Sequence, residues 1–278
     1  QGRITATGSL VYTNVTEHVK IGDAPADFQR LAPSFTVSLQ PWQEQLLFLR
    51  LMYKSTFRMP TFNDLYYYRL GNRSLRPEKA NEYNMGITWS RSFSSFLNYL
   101  SVTVYGYYND VTDKIVAFPT TYAWKMANYG KVHVTGMDAT LAAAASLGKN
   151  MVLVVSGGYT WQKAIDLTDA TSKSYKDQLP YTPKHSGNVS AVLEMPWVNV
   201  GYSIVGVSER YSMSQNIPEN RIDGYMEHTA SLSRNFSFRH CKLRLQAEII
   251  NMTDTQYDVI KYYPMPGRSW RLTGTIEF

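Results

Sequence analysis

The feature that most constrains this chain is a two-residue alternation of apolar and polar side chains, repeated from end to end. In the last ten residues Trp270, Leu272, Gly274, Ile276 and Phe278 fall on one side, while Arg271, Thr273, Thr275 and Glu277 fall on the other. The preceding segment sets Leu243, Leu245, Ala247 and Ile249 against Lys242, Arg244, Gln246 and Glu248. Side chains alternate across a pleated strand, so this period predicts β-strands with one apolar and one polar face. About twelve such strands are expected, near 3–13, 29–40, 45–57, 80–91, 96–118, 122–146, 151–164, 181–194, 197–210, 222–235, 241–251 and 267–278. Several reach the roughly 9–11 residues that a tilted membrane-crossing strand needs. A strand in a soluble sheet averages about five or six.

The connections are sorted by length. Every second one is a tight turn: PWQE at 41–44, RSFSS at 91–95, LGKN at 147–150, EMPW at 194–197 and SFRH at 237–240. The alternate ones, 14–28, 58–79, 165–180, 211–221 and 252–266, are long and polar or mixed, apart from a short one near Pro119–Thr121. Short turns at one rim and long loops at the other are the layout of outer-membrane barrels. Tyr12, Tyr53, Phe57, Tyr108, Tyr159, Trp161, Trp270 and Phe278 stand near strand ends on the apolar face, as interfacial girdles do. The opposite face carries Arg50, Lys54, Glu82, Lys242, Arg244, Glu248, Arg271 and Glu277, charges that suit a wide barrel with a wet or plugged lumen. The fold class expected is all-β, an antiparallel transmembrane β-barrel with short periplasmic turns and long extracellular loops. A soluble β-sandwich would alternate too, but it has no reason to sort its loops.

Composition narrows the function classes. The longest apolar runs fall short of a transmembrane helix, yet the mean hydropathy of −0.30 is compatible with a barrel, which places its apolar surface on alternate residues. The net charge of +6 comes from scattered Lys and Arg, not from a stripe fit for nucleic acid. Cys241 is the single cysteine, so neither an internal disulfide nor a thiolate zinc cluster is available. The five His, at 18, 133, 185, 228 and 240, show no paired-ligand spacing, and no metal site or cofactor is expected. His18 is the best of them as a haem ligand, and a poor one. No nucleophile elbow or phosphate loop occurs, so no enzyme is expected. Asp110, Asp113 and Lys114 read as rim ion pairs before they read as an acid–base set.

The segment RMPTFNDLYYYRLGNRSLRPEKANEY at 58–83 resembles a signature of TonB-dependent outer-membrane receptors, with Pro60, Asp64, Leu65, Gly71, Asn72, Leu75, Pro77 and Glu78 at the matching places. Three further stretches follow in the family's order. YNDVTDKI at 108–115 is similar to its long rising strand. NYGKVHVTGMDA at 128–139, with Asn128, Gly130 and Gly136, is similar to the descending strand. The closing hairpin carries Asn251, Tyr257, Pro266, Gly267, Arg268 and the terminal Phe278. The resemblance covers about residues 58–278.

It implies a gated transporter with a barrel of about 22 strands, of which this chain would be the C-terminal part. It implies as partners an N-terminal plug and the TonB complex, both outside the sequence in hand, outer-membrane lipid, and a surface lipoprotein. The opening QGRITATGSL implies a processed start or a cut within a longer protein. The wording TFNDLYY, GNRSLRPEK and GYYNDVTDKI is most similar to the cobalamin branch, with ferric siderophore and haem receptors sharing much of it. YYPMPGR is similar to Bacteroides-type receptors. The alternative function class is a passive porin.

Ligand contacts are expected on the outer loops, at Asn63, Asp64, Tyr66, Tyr67, Tyr68 and Arg69, with Tyr122 and Trp124 beside the short loop. Tyrosines there can stack on a large planar ligand while Asn and Arg hydrogen-bond it. The same side chains can instead pack the loop or stand in the outer aromatic belt, and both readings stay open.

Overall fold

The computed structural model describes residues 3–278 apart from 17, 19, 21–26, 43, 120–122, 149 and 240, and only the backbone of 118 and 119. Tyr122, His240, most of the short connection near Pro119–Thr121 and single positions of three tight turns lie outside the described residues.

Twelve long strands form one sheet: β1 (Arg3–Val15), β2 (Phe28–Gln40), β3 (Leu46–Arg58), β4 (Glu78–Ser92), β5 (Leu97–Pro119), β6 (Trp124–Gly148), β7 (Met151–Asp166), β8 (His185–Glu194), β9 (Asn199–Val207), β12 (Tyr225–Ser237), β13 (Lys242–Ile250) and β16 (Ser269–Glu277). Two short hairpins, β10 (Arg210–Tyr211) with β11 (Arg221–Ile222) and β14 (Asp258–Ile260) with β15 (Tyr263–Pro264), lie in the long connections. Each long strand pairs antiparallel with its neighbours in chain order, a meander with β1 and β16 at its edges. The all-β expectation and the twelve strands are borne out.

The register shows that the alternation is coherent across the whole sheet. One row runs Ile4, Leu39, Leu49, Ile87, Val104, Ala139, Tyr159, Gly187, Gly206, Met226. The adjacent row runs Thr5, Ser38, Arg50, Gly86, Tyr105, Asp138, Thr160, Ser186, Val207, Tyr225. A slip of one residue anywhere would interchange the faces, so the pattern itself holds the register. Large apolar side chains of the first face stay exposed, with Ile4 at 74% and Trp270 at 75%. Such a surface needs an apolar surrounding.

The polar face is cross-linked. Arg50 Nη1 donates to Tyr105 Oη at 3.0 Å, Thr160 Oγ1 to Asp138 at 2.7 Å, and Arg271 Nε to Glu248 Oε2 at 2.5 Å. β5 and β6 are 23 and 25 residues long. At ~3.3 Å per residue they span about 75 and about 80 Å, far more than a hydrocarbon layer of ~30 Å requires. Their far ends therefore stand above any membrane crossing and carry the loops.

Three details depart from the sequence reading. Strand β8 starts at His185 instead of 181, because Pro180 and Pro183 lack the amide a ladder needs. Residues 178–182 instead fold onto the sheet. Gln178 accepts from Ala164 N at 3.2 Å, and Leu179 packs with Val111, Val132 and Ala164 in a buried cluster. Strand β9 ends at Val207 instead of 210, where Arg210 turns into its hairpin. A single helical turn, α1 (Phe62–Tyr66), stands where only loop was read.

Candidate functional site

The loop after β3 is built as a clasp. Thr61 Oγ1 accepts from Asp64 N at 3.2 Å, and Asp64 Oδ2 accepts from Thr61 N at 2.9 Å, a reciprocal cap that starts α1. Gly71 follows where a Cβ would lie 2.7 Å from Tyr67 N and 2.8 Å from Leu65 O, so only glycine fits against the helix end. Asn72 Nδ2 donates to Met126 O at 3.1 Å, and Leu75 is buried with Leu65, Ile115 and Met126. Asn128 closes the clasp: Nδ2 donates to Arg76 O at 3.0 Å and Asp113 O at 2.7 Å, and Oδ1 accepts from Arg76 N at 2.9 Å. Arg76 forks onto Asp113, which raises the guanidinium's pKa, chiefly through that hydrogen bond. Glu78 Oε2 accepts from Ile115 N at 3.0 Å and lies 3.6 Å from Arg58, with Lys114 3.6 Å from Oε1. Pro60 and Pro77 are half-buried at the two ends of this loop.

The predicted ligand residues of this loop therefore divide. Asp64 is engaged by the cap and by Arg58 at 3.6 Å. Tyr66 is half-buried, its ring 4.7 Å from that of Phe62 and under Arg73. Asn63, Tyr67, Tyr68 and Arg69 are exposed, with Arg69 at φ 64° lying over the Tyr68 ring. These four side chains are open to solvent, although Tyr67 N donates to Asn63 O and Tyr67 O accepts from Gly71 N.

Trp124 belongs to a different place. It lines a cavity of about 460 Å³ with Lys114, Tyr129, Tyr181, Arg210 and Ile260. The Trp124 and Tyr181 rings are 5.9 Å apart and inclined by 34°. Tyr181 sits at φ 56°, uncommon for a bulky residue, and burial pushes its hydroxyl pKa up. Arg210 is only 4% exposed. Its Nη2 donates to Asp258 O at 2.5 Å and Val259 O at 3.0 Å, and its guanidinium lies over the Tyr225 ring. Its Nη1 is buried and has no hydrogen-bond partner among the described residues. Burying a guanidinium with one nitrogen unpaired costs free energy, which a nearby negative charge would offset. Arg210, Tyr181 and Tyr129 escaped the sequence reading.

The closing segment supplies part of the cavity wall through Val259 and Ile260. Tyr257 stacks on Tyr225 at 3.9 Å and donates to Glu227 at 2.5 Å. Burial first, then the Glu227 carboxylate, raise its phenol pKa. Asn251, 1% exposed at φ 51°, donates to Thr255 O and Pro266 O, and Thr255 N donates to its Oδ1. Arg268 N donates to Asp254 Oδ1, against which Gly267 leaves no room for a Cβ. Gly136 makes room for the Tyr107 ring, Gly130 for Thr168, and Phe278 is fully exposed. Asp110 lies 3.3 Å from His133 and 4.0 Å from Lys131, while His18 is exposed. Among the described residues, no group of three or more His, Cys, Asp or Glu side chains is placed to hold a metal ion.

Comparison with known proteins gives this arrangement its context. Residues 1–252 match the family model described as TonB dependent receptor-like, beta-barrel. The vitamin B12 transporter BtuB of Photobacterium profundum is 25% identical over 230 residues, 80% of this chain and 34% of that protein. BtuB of Vibrio vulnificus is 26% identical over 231 residues, 80% of this chain and 33% of its own length. The chain thus spans about a third of the curated relatives it matches. The crystal structure of BauA, the ferric preacinetobactin receptor of Acinetobacter baumannii, superposes with a TM-score of 0.71 at 12% identity, over 99% of this chain and 40% of that one. On the family match, and on an antiparallel meander that superposes on such a receptor, the chain belongs to the TonB-dependent receptor β-barrel family of the outer membrane.

Proposed function

We infer that this chain forms part of the barrel wall of an outer-membrane active transporter that binds a large, scarce nutrient at its extracellular loops and imports it to the periplasm. Cobalamin is the first-choice cargo, with ferric siderophore or haem next. The observation that carries this reading is the Trp124–Tyr181–Arg210 cavity at the loop ends of β5 and β6. Aromatic faces there can take the flat part of a ligand, and Arg210, a cation in the cavity wall, can attract an anionic group such as the phosphodiester of cobalamin. A volume of about 460 Å³ accommodates a portion of such a molecule, so the loop tip at Tyr67 and Tyr68 would complete the grip. The similarity to two vitamin B12 transporters supports the order of the cargoes.

In this reading the long connections face outward and the C-terminus faces the periplasm. The plug would fill the polar side of the sheet, against Arg50, Asp138 and the Glu248–Arg271 pair, and the TonB complex would act on that plug. The motif residues Gly71, Asn72, Asn128 and Glu78 hold the loop to β5 and β6 and take no part in chemistry.

Uptake of labelled cobalamin by cells whose only receptor is the full-length protein tests this. Accumulation that stops with a protonophore or on loss of TonB is expected. Energy-independent entry, or equal accumulation in cells without the receptor, would refute it.

A further inference from the structure

Among the described residues, the cavity at the outer ends of β5 and β6 is lined by two cations, Lys114 and Arg210, and by no carboxylate. The two cations are not equivalent. Arg210 is only 4% exposed, its Nη2 is taken by Asp258 O and Val259 O, and its Nη1 is closed off from solvent. A guanidinium fixed in this way lends the cavity positive potential but offers a ligand almost no polar surface.

Lys114 is the cation that a ligand can reach. Its side chain is 28% exposed, and Nζ lies 3.6 Å from Glu78 Oε1, an ion pair too long to be a hydrogen bond. The carboxylate beside it in the chain, Asp113, is taken by Arg76 at 2.6 Å. Glu78 does not depend on Lys114. Its Oε2 accepts from Ile115 N at 3.0 Å and lies 3.6 Å from Arg58 Nε. If the ammonium swung away, Glu78 would keep a hydrogen bond and a cation. Lysine carries its charge on a flexible four-carbon stem, so that swing needs no movement of β5. The walls it would turn towards are aromatic, with Trp124, Tyr129 and Tyr181. Such a surface displaces water and strengthens the attraction between charges.

We propose that Lys114 is the specificity-determining residue of this cavity: its ammonium leaves Glu78 and pairs with a phosphate or carboxylate of the ligand, while Arg210 supplies a fixed positive field. The inference rests on the transport reading, which makes this cavity the ligand site. It narrows the cargo to molecules that carry an anionic group beside a flat body. A neutral analogue with the same flat body gains nothing from Lys114.

The test titrates the full-length receptor with two corrinoids. Cyanocobalamin carries a phosphodiester; dicyanocobinamide has the corrin ring without it. Lys114→Gln should weaken cyanocobalamin about tenfold and leave dicyanocobinamide as in wild type. Lys114→Arg, which keeps the charge, should restore most of the loss. Glu78→Gln removes the same ion pair but keeps an acceptor for Ile115 N, and it should bind cyanocobalamin at least as tightly as wild type. A lysine that serves only to pair with Glu78 would make Lys114→Gln and Glu78→Gln weaken both corrinoids alike, and that result would overturn the proposal. Wild-type affinity of Lys114→Gln for cyanocobalamin would overturn it too, while leaving the cavity as the ligand site. Saturation of wild type by neither corrinoid would remove cobalamin as the cargo and the proposal with it.

Discussion

Asn128→Ala should release the loop after β3 without unfolding the sheet. The side chain is half-buried and makes three hydrogen bonds, to Arg76 O, Asp113 O and Arg76 N. At about 1 kcal/mol net each, and with water partly replacing the exposed two, their loss costs ~2–3 kcal/mol. Arg76 then keeps only its ion pair with Asp113, which at 66% side-chain exposure of the arginine contributes little. The β5–β6 ladder does not depend on the amide side chain, so the cost falls on local opening of 59–77. Hydrogen exchange on the full-length receptor reads it directly. Amides of that loop, Gly71 and Asn72 among them, should lose protection roughly 30- to 150-fold. Strands β8, β9 and β12 should exchange as in wild type. An equal loss throughout the sheet, or an unchanged loop, would refute the clasp.

Gly136→Val should destabilise the sheet by at least ~1–3 kcal/mol, because a Cβ there falls 2.3 Å from the Tyr107 ring and 2.7 Å from Trp161 O. Gly106→Ala, with open space around it, should stay within about 0.5 kcal/mol; thermal unfolding of the two variants provides the comparison. Glu248→Gln should cost under about 1 kcal/mol in the same assay, since Arg271 is largely exposed. Tyr257 should ionise above the ordinary phenol value of 10, because burial and Glu227 favour its neutral form. Its contribution to stability is complete below pH 10 and lost as pH rises through its folded value. An alkaline spectrophotometric titration should show the last phenolate step disappear in Tyr257→Phe.

The sheet was legible in the sequence because a pleated strand writes its two faces into alternate residues. Leu243 to Ile249 and Trp270 to Ile276 lie in register on one face, as their pattern required. The sorted connections were legible for a similar reason, since tight turns leave few residues between patterns. The cavity was not. Trp124 was singled out, but its stacking partner Tyr181 is 57 positions away and Arg210 farther still, and no periodicity links them. The strand was read from 181, through Pro183, whereas β8 starts at His185, and only the fold shows that the segment before it turns onto the sheet. α1 is too short for a helical period. Its one readable signal was Thr61 three residues before Asp64, an N-terminal capping pair.

The central claim is that the Trp124–Tyr181–Arg210 cavity holds the ligand, and titration of the purified full-length receptor with cyanocobalamin tests it most directly. Saturable binding at micromolar concentration or tighter is expected, weakened about tenfold or more by Trp124→Ala and by Arg210→Met. Absence of saturation would remove cobalamin as the cargo. Wild-type affinity in both folded variants would contradict the placement of the site.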